Sequence, residues 1–158
     1  MNTLTYPMEY IRDGSGFYEN GLAGETLGAR SLVYRDGNGA WQLADQSNLD
    51  NMPTLGITIG AISSGRYGRI LTQGYIGDES WSWTAGDALY VSTTPGVMTQ
   101  TAPTTGYRQI VAYANTGDMI FMLPWESLSA SGLQIEDVDY YVSTSGLDTN
   151  DGEDVSCR

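Results

Sequence analysis

The chain has 158 residues and a formal net charge of −12, and it contains neither lysine nor histidine. Its length predicts one ordinary domain with an appendage. The excess of acidic residues over seven arginines argues against nucleic-acid binding and against association with anionic membranes, because both require cationic side chains. Catalysis by a histidine or by a lysine is excluded by composition.

The remaining composition argues against metal, redox and export functions. Cys157 is the single cysteine, so no disulfide can form within the chain, and its acidic surroundings do not favour a catalytic thiolate. No set of cysteines and histidines suits zinc. No apolar signal segment follows Met1, and no stretch approaches the ~20 apolar residues of a membrane helix. We therefore expect no cofactor, no membrane insertion and synthesis in a cytoplasm without general secretory export.

Residues 1–24 differ from the rest of the chain because they show no clean periodicity and contain four glycines. The segment has too many apolar side chains for a solvated tail, so we interpret it as an arm that packs on a partner. The candidate docking residues of this arm are Tyr6, Met8, Tyr10, Ile11, Phe17 and Tyr18.

From residue 25 to residue 124, short β-branched and aromatic runs alternate with turn residues. The runs at 29–34 and 40–45 flank Asp-Gly and Asn-Gly steps, which predict a hairpin. Further strands are predicted at 55–62, 68–77 (with a bend at Gly74), 80–92, 97–101, 107–114 and 119–124. Eight or nine short strands at this spacing predict an all-β fold, a small antiparallel sandwich or barrel.

Several large side chains of this predicted domain suit either its own core or an oligomer interface. Strand alternation within 80–92 predicts that Trp81 and Trp83 lie on one face. The candidate residues for a trimer interface or for the core are Tyr75, Trp81, Trp83, Tyr90 and Met98.

Asp78 and Glu79 are the remaining catalytic candidates, and they lie close to two tryptophans that would suit sugar stacking. A glycosidase needs two carboxyl groups about 5–9 Å apart across a cleft, whereas neighbours in a turn point apart. The segment 148–154 does not match a calcium loop, because Gly152 occupies the fifth position. The chain thus shows no recognisable active site, and we predict that it is not an enzyme.

A turn-rich pattern runs from Trp41 to Leu123. It includes the Gly-rich ILTQGYI (70–76), the Trp-x-Trp step, GDALYVS (86–92), PGVMTQTAP (95–103) and QIVAYA (109–114). This pattern resembles a small β-domain of tailed-bacteriophage structural proteins, which include tail fibres, tailspikes and capsid decoration proteins. The resemblance covers about half of the chain.

The C-terminal segment begins with a strand-forming run and continues with turn formers. It resembles the first strand of right-handed parallel β-helix proteins of the pectate-lyase type, which are common in tailspikes. The matching positions are Tyr141, Val142, Gly146, Asp148, Asn150, Asp151 and Gly152. The aromatic and Thr-Ile segment that normally follows is missing. Because a β-helix coil needs neighbours to bury its apolar face, we expect the chain to be the N-terminal part of a longer fibre or spike.

The two resemblances imply a structural virion protein organised in four parts. These are a docking arm (1–24), a β-domain (25–124), a linker (125–139) and the start of a β-helix shaft (140–158). Such fibres are usually homotrimers, attached to tail, baseplate or adaptor proteins and assembled in the host cytoplasm. The receptor or glycan of the host would be engaged by downstream regions, together with any glycan depolymerase activity. The alternatives are a capsid decoration protein or head fibre and, less favoured, a carbohydrate-active enzyme.

Overall fold

A computed structural model describes residues 14–124 and the backbone of residues 128–129. Within this part of the chain the protein is all-β, as predicted, with eleven strands and one 3-10 turn at Leu49–Asn51. The strands are β1 Ser15–Leu22, β2 Leu32–Arg35, β3 Trp41–Leu43, β4 Gly56–Thr58, β5 Tyr67–Gly77, β6 Ala88–Val91, β7 Met98–Thr99, β8 Tyr107–Arg108, β9 Ile110–Thr116, β10 Met119–Met122 and β11 Leu128–Ser129. The predicted docking residues Tyr6, Met8, Tyr10 and Ile11, nearly all of the linker, and the whole shaft segment lie outside the described residues.

Nine of the strands form one antiparallel sheet in the order β3-β2-β4-β5-β10-β9-β6-β7, with β1 also paired to β5. The sheet is open and curled into a half-barrel, which fits the predicted barrel or sandwich class. Strand β5 is its centre, because it pairs with β1 along most of its length and also with β4 and β10. Strands β8 and β11 pair separately.

The hairpin predicted around residues 36–39 is confirmed. Strands β2 and β3 pair with Val33 opposite Leu43, and the carboxylate of Asp36 accepts hydrogen bonds from the backbone N–H groups of Asn38 and Ala40, both at 2.9 Å. The side-chain amide of Gln42, followed by these backbone donors, lowers the pKa of Asp36. The aspartate therefore fixes the turn from inside, as expected for an Asx residue in a hairpin connection.

Strand β5 changes its alternation at a β-bulge. Tyr18 lies opposite Leu71 and Phe17 lies opposite Gln73, so Thr72 is the extra residue on β5. The bulge allows Leu71 and Ile76 to face the same core although they are an odd number of positions apart. Gly74, where a bend was predicted, has φ +138°, a value that L side chains rarely adopt.

The sheet buries apolar side chains on both faces. The main core fills the inside of the half-barrel and includes Leu32, Ile57, Leu71, Ile76, Leu89, Val111, Ile120 and Met122. A second, smaller core covers part of the outer face and consists of Ala23, Leu27, Val33, Trp41, Ile62 and Ile70. Because Ile70 and Leu71 are adjacent on β5 and enter different cores, this strand is buried on both sides at that point.

The sheet begins earlier than the predicted domain boundary. Residues 15–22, which the sequence assigned to the arm, form β1 and pair with β5 from Ser15 opposite Tyr75 to Leu22 opposite Tyr67. Position 21 of this strand requires glycine, because Gly21 lies against the indole ring of Trp41, where a side chain would collide. Phe17 and Tyr18 are therefore strand residues of the domain.

The predicted strand at 80–92 is correct only from Ala88 to Val91. Residues 78–87 form an irregular loop, held by the backbone hydrogen bonds from Trp83 N–H to the Gly117 carbonyl and from Trp81 N–H to the Asp78 carbonyl. The predicted strand at 107–114 is also interrupted, at Gln109, whose side chain makes two hydrogen bonds with the backbone of Thr54.

The contact between Gly21 and Trp41 gives the first prediction. A Cβ at Gly21 would overlap the buried indole nitrogen of Trp41, so Gly21→Ala should lower the free energy of unfolding by about 1–3 kcal/mol. Urea unfolding measures the change. Gly60→Ala is the matched control, because a Cβ there meets nothing within 4 Å. Equal stability of the two variants would contradict this packing.

Candidate interaction surface

The register of the sheet determines which side chains point away from the main core. Ile76 on β5 lies opposite Ile120 on β10, which in turn lies opposite Ala114 on β9. All three residues belong to the main core. Since successive side chains of a strand point to opposite faces, the residues next to them along each strand lie on the outer face.

A row of aromatic side chains occupies this outer face. Tyr75, Phe121 and Tyr113 are direct cross-strand neighbours on β5, β10 and β9. Phe17 extends the row onto β1, since it pairs with Gln73, on the same face of β5 as Tyr75. We call Phe17, Tyr75, Tyr113 and Phe121 the aromatic row.

The aromatic row is accessible to solvent. Phe17 is 70% exposed, and Tyr75 and Tyr113 are each 38% exposed. The rings of Tyr75 and Phe121 have centroids 4.9 Å apart at 56°, a tilted arrangement that stabilises aromatic pairs. A contiguous aromatic patch of this kind is costly to leave in water and is typical of a surface that contacts a partner.

The five residues predicted as interface or core have different locations. Tyr90 and Met98 are buried, at 8% and 7% exposure, and Met98 packs in the main core. Trp81 and Trp83 are half-buried against that core, with ring centroids 5.9 Å apart. Tyr75 is the member of the set that lies in the aromatic row, next to residues that the sequence did not single out.

Sequence reasoning missed Phe121 and Tyr113 as surface residues. Each lies between two apolar neighbours, in MIFM (119–122) and in AYA (112–114), so the local sequence resembles a strand buried on both faces. The pairing of three distant strands could not be read from the sequence.

The loop that holds the two tryptophans is anchored by Asp78. Its carboxylate accepts hydrogen bonds from the Ser80 hydroxyl at 2.6 Å and from the Ser80 backbone N–H at 2.9 Å. The guanidinium of Arg30 lies 3.9 Å from it and also donates to the carbonyl oxygen of Gly77. These contacts, with the Ser80 hydroxyl as the largest cause, lower the pKa of Asp78. An ionised carboxylate held in this way fixes a turn and is poorly suited to donate a proton.

Among residues 14–124, no three acidic or cysteine side chains converge to form a metal site. Within the same residues, no helix is long and apolar enough to cross a membrane.

Comparison with known proteins does not assign the chain to a family. No family model matches the chain, and no curated protein resembles it significantly.

The contacts of Asp78 predict a pH-dependent loss of stability in Asp78→Asn. The amide cannot replace a carboxylate that is stabilised in the folded state, so unfolding at pH 7 should cost about 1 kcal/mol less than in the native protein. The pKa of Asp78 is lower in the folded state than in the unfolded state. Its carboxylate therefore stabilises the folded protein at pH values above the unfolded-state pKa, and this stabilisation is lost at lower pH. The difference between the two proteins should therefore start to shrink as the pH falls below about 3.9 and disappear once the pH is below the lowered pKa of the folded state.

Chemical unfolding across pH measures this difference. Asp50→Asn removes a charge from an exposed residue whose side chain has no hydrogen bond to the described part of the chain, so it serves as the control and should leave stability nearly unchanged. A pH-independent loss in Asp78→Asn would show that the charge of Asp78 is not involved.

Proposed function

We propose that this protein is a structural component of a tailed-bacteriophage virion, the N-terminal part of a trimeric tail fibre or tailspike. The observation that carries the proposal is the aromatic row, an exposed apolar surface built across four strands of the sheet. Such a module fits assembly better than chemistry. The sequence resemblances supply the virion context.

The aromatic row is the surface we assign to subunit contacts. It is central on the sheet rather than at a loop tip, and its side chains lie on β1, β5, β10 and β9, each of which pairs with the next. Aromatic residues on rigid strands provide a large contact area with little loss of side-chain entropy, and they are enriched at the centres of interfaces. In a homotrimer three copies of the row would be buried around the symmetry axis or against the neighbouring subunit.

The proposed interface predicts an effect of replacing the aromatic row on oligomeric state. Phe17→Ser, Tyr75→Ser and Tyr113→Ser combined should convert trimers to monomers at micromolar concentration, because the exposed apolar area that drives association is removed. Sedimentation equilibrium measures the mass. Tyr67→Ser is the matched control, since Tyr67 is 67% exposed but lies outside the row. A native protein that sediments as a monomer, or a trimer unaffected by the triple replacement, would contradict the assignment.

If the N-terminal arm anchors the protein to the particle, its deletion should prevent incorporation into virions. The arm to delete ends at residue 13, because residues 15–22 belong to the sheet. Deleting residues 2–13 should leave a folded domain but abolish attachment to the particle. Deleting residues 2–24 should also destabilise the domain, because β1 is lost from β5. Particle composition and thermal unfolding measure these effects. Normal incorporation without residues 2–13 would refute the anchor, and labelling of the intact protein on the capsid would favour the decoration-protein alternative.

A further inference from the structure

A groove of about 410 Å³ opens between the β4–β5 connection and the beginning of β5. Its walls are formed by residues 59–63 and 66–69, and its charged side chains are those of Arg66 and Arg69. Among residues 14–124, no acidic residue lines it. In a chain with 19 acidic and 7 basic residues, a groove whose charges are all positive is unusual. We call it the arginine groove.

The two arginines of the groove have no carboxylate partner in residues 14–124. Elsewhere in these residues, Arg30 approaches Asp78 and Arg35 pairs with Glu19. The guanidinium of Arg69 lies 4.2 Å from the centroid of the Tyr18 ring, so one of its faces is covered by that ring. Guanidinium groups without a carboxylate partner suit carboxylates, which they can bind in a bidentate manner.

We propose that the arginine groove binds the acidic segment 136–154 of the same chain. Residues 136–158 contain seven acidic residues and one arginine, which makes them the most negatively charged part of the sequence. Chain length permits the contact, because the nineteen residue-to-residue steps from Ser129 to Asp148 extend up to about 63 Å. A domain of this size has a radius of gyration of about 13 Å, so the segment can reach any point on it. The inference does not depend on a virion function, and it is an alternative to the expected role of residues 140–158 as the start of a β-helix shaft.

The single cysteine provides the probe. A nitroxide attached to Cys157, close in sequence to the acidic segment, should broaden the backbone amide resonances of residues 60–69 in the 158-residue chain at low salt. The broadening should be lost at high salt, because exposed ion pairs are screened. It should also be lost in the double variant Arg66→Gln and Arg69→Gln. Arg108→Gln is the matched control, since Arg108 also stacks on a tyrosine ring but lies outside the groove.

The outcomes separate the proposal from its alternatives. Thermal unfolding first establishes that the double variant is folded, and the salt series on the native chain remains a test if it is not. Broadening that is spread evenly over the domain, or that persists in the double variant, would overturn the proposal. Broadening that appears only when labelled and unlabelled chains are mixed would overturn the placement within one chain and indicate exchange between copies.

Discussion

The structure depends on how β5 is buried on both of its faces. A strand with strict alternation presents one set of side chains to each face, yet this strand must supply Leu71 and Ile76 to the main core and Ile70 to the second core. The bulge at Thr72 reverses the alternation halfway along the strand, so that Leu71 before it and Ile76 after it face the same core. The Thr72 hydroxyl donates a hydrogen bond to the carbonyl oxygen of Phe17, 3.1 Å away, and so helps to fix the irregular register.

The same bulge determines where the aromatic row lies. With regular alternation, Tyr75 would be on the face of Leu71 and would enter the main core. The displaced register instead turns Ile76 inward and Tyr75 outward, and the pairings with β10 and β9 carry this orientation to Phe121 and Tyr113. The second core and the aromatic row therefore share the outer face. Ala23, Leu27 and Ile62 pack in the second core, whereas the aromatic row is exposed in the part of the chain that the structure describes. The candidate surface is a consequence of how the core is packed.

The sequence predicts the class of the fold and the position of most strands, because turn chemistry is local. The Asp36 hairpin is an example, since its Asp-Gly and Asn-Gly steps specify the turn wherever the hairpin lies. Strand β1 was not predicted, because Gly16 and Gly21 weaken the strand pattern while meeting a need that appears only in three dimensions, close approach to β5 and to Trp41. The aromatic row depends on cross-strand register, which a bulge resets. The sequence therefore named Tyr75 as an interface candidate and Phe17 as a residue of the arm, but it named neither Tyr113 nor Phe121 and did not bring the four together.

The absence of lysine agrees with how cations are used in this domain. Arg35, Arg69 and Arg108 lie over the rings of Trp41, Tyr18 and Tyr90, at 4.7, 4.2 and 5.4 Å from the ring centroids. A planar, weakly hydrated guanidinium can cover an aromatic face and still direct its N–H groups to an acceptor, which a lysine ammonium does less well. Arginines used in this way cover aromatic side chains at other places on the domain, whereas Tyr75, Tyr113 and Phe121 have no arginine over their rings among the described residues. A partner that covered the row, as we propose, would bind through apolar area more than through charge.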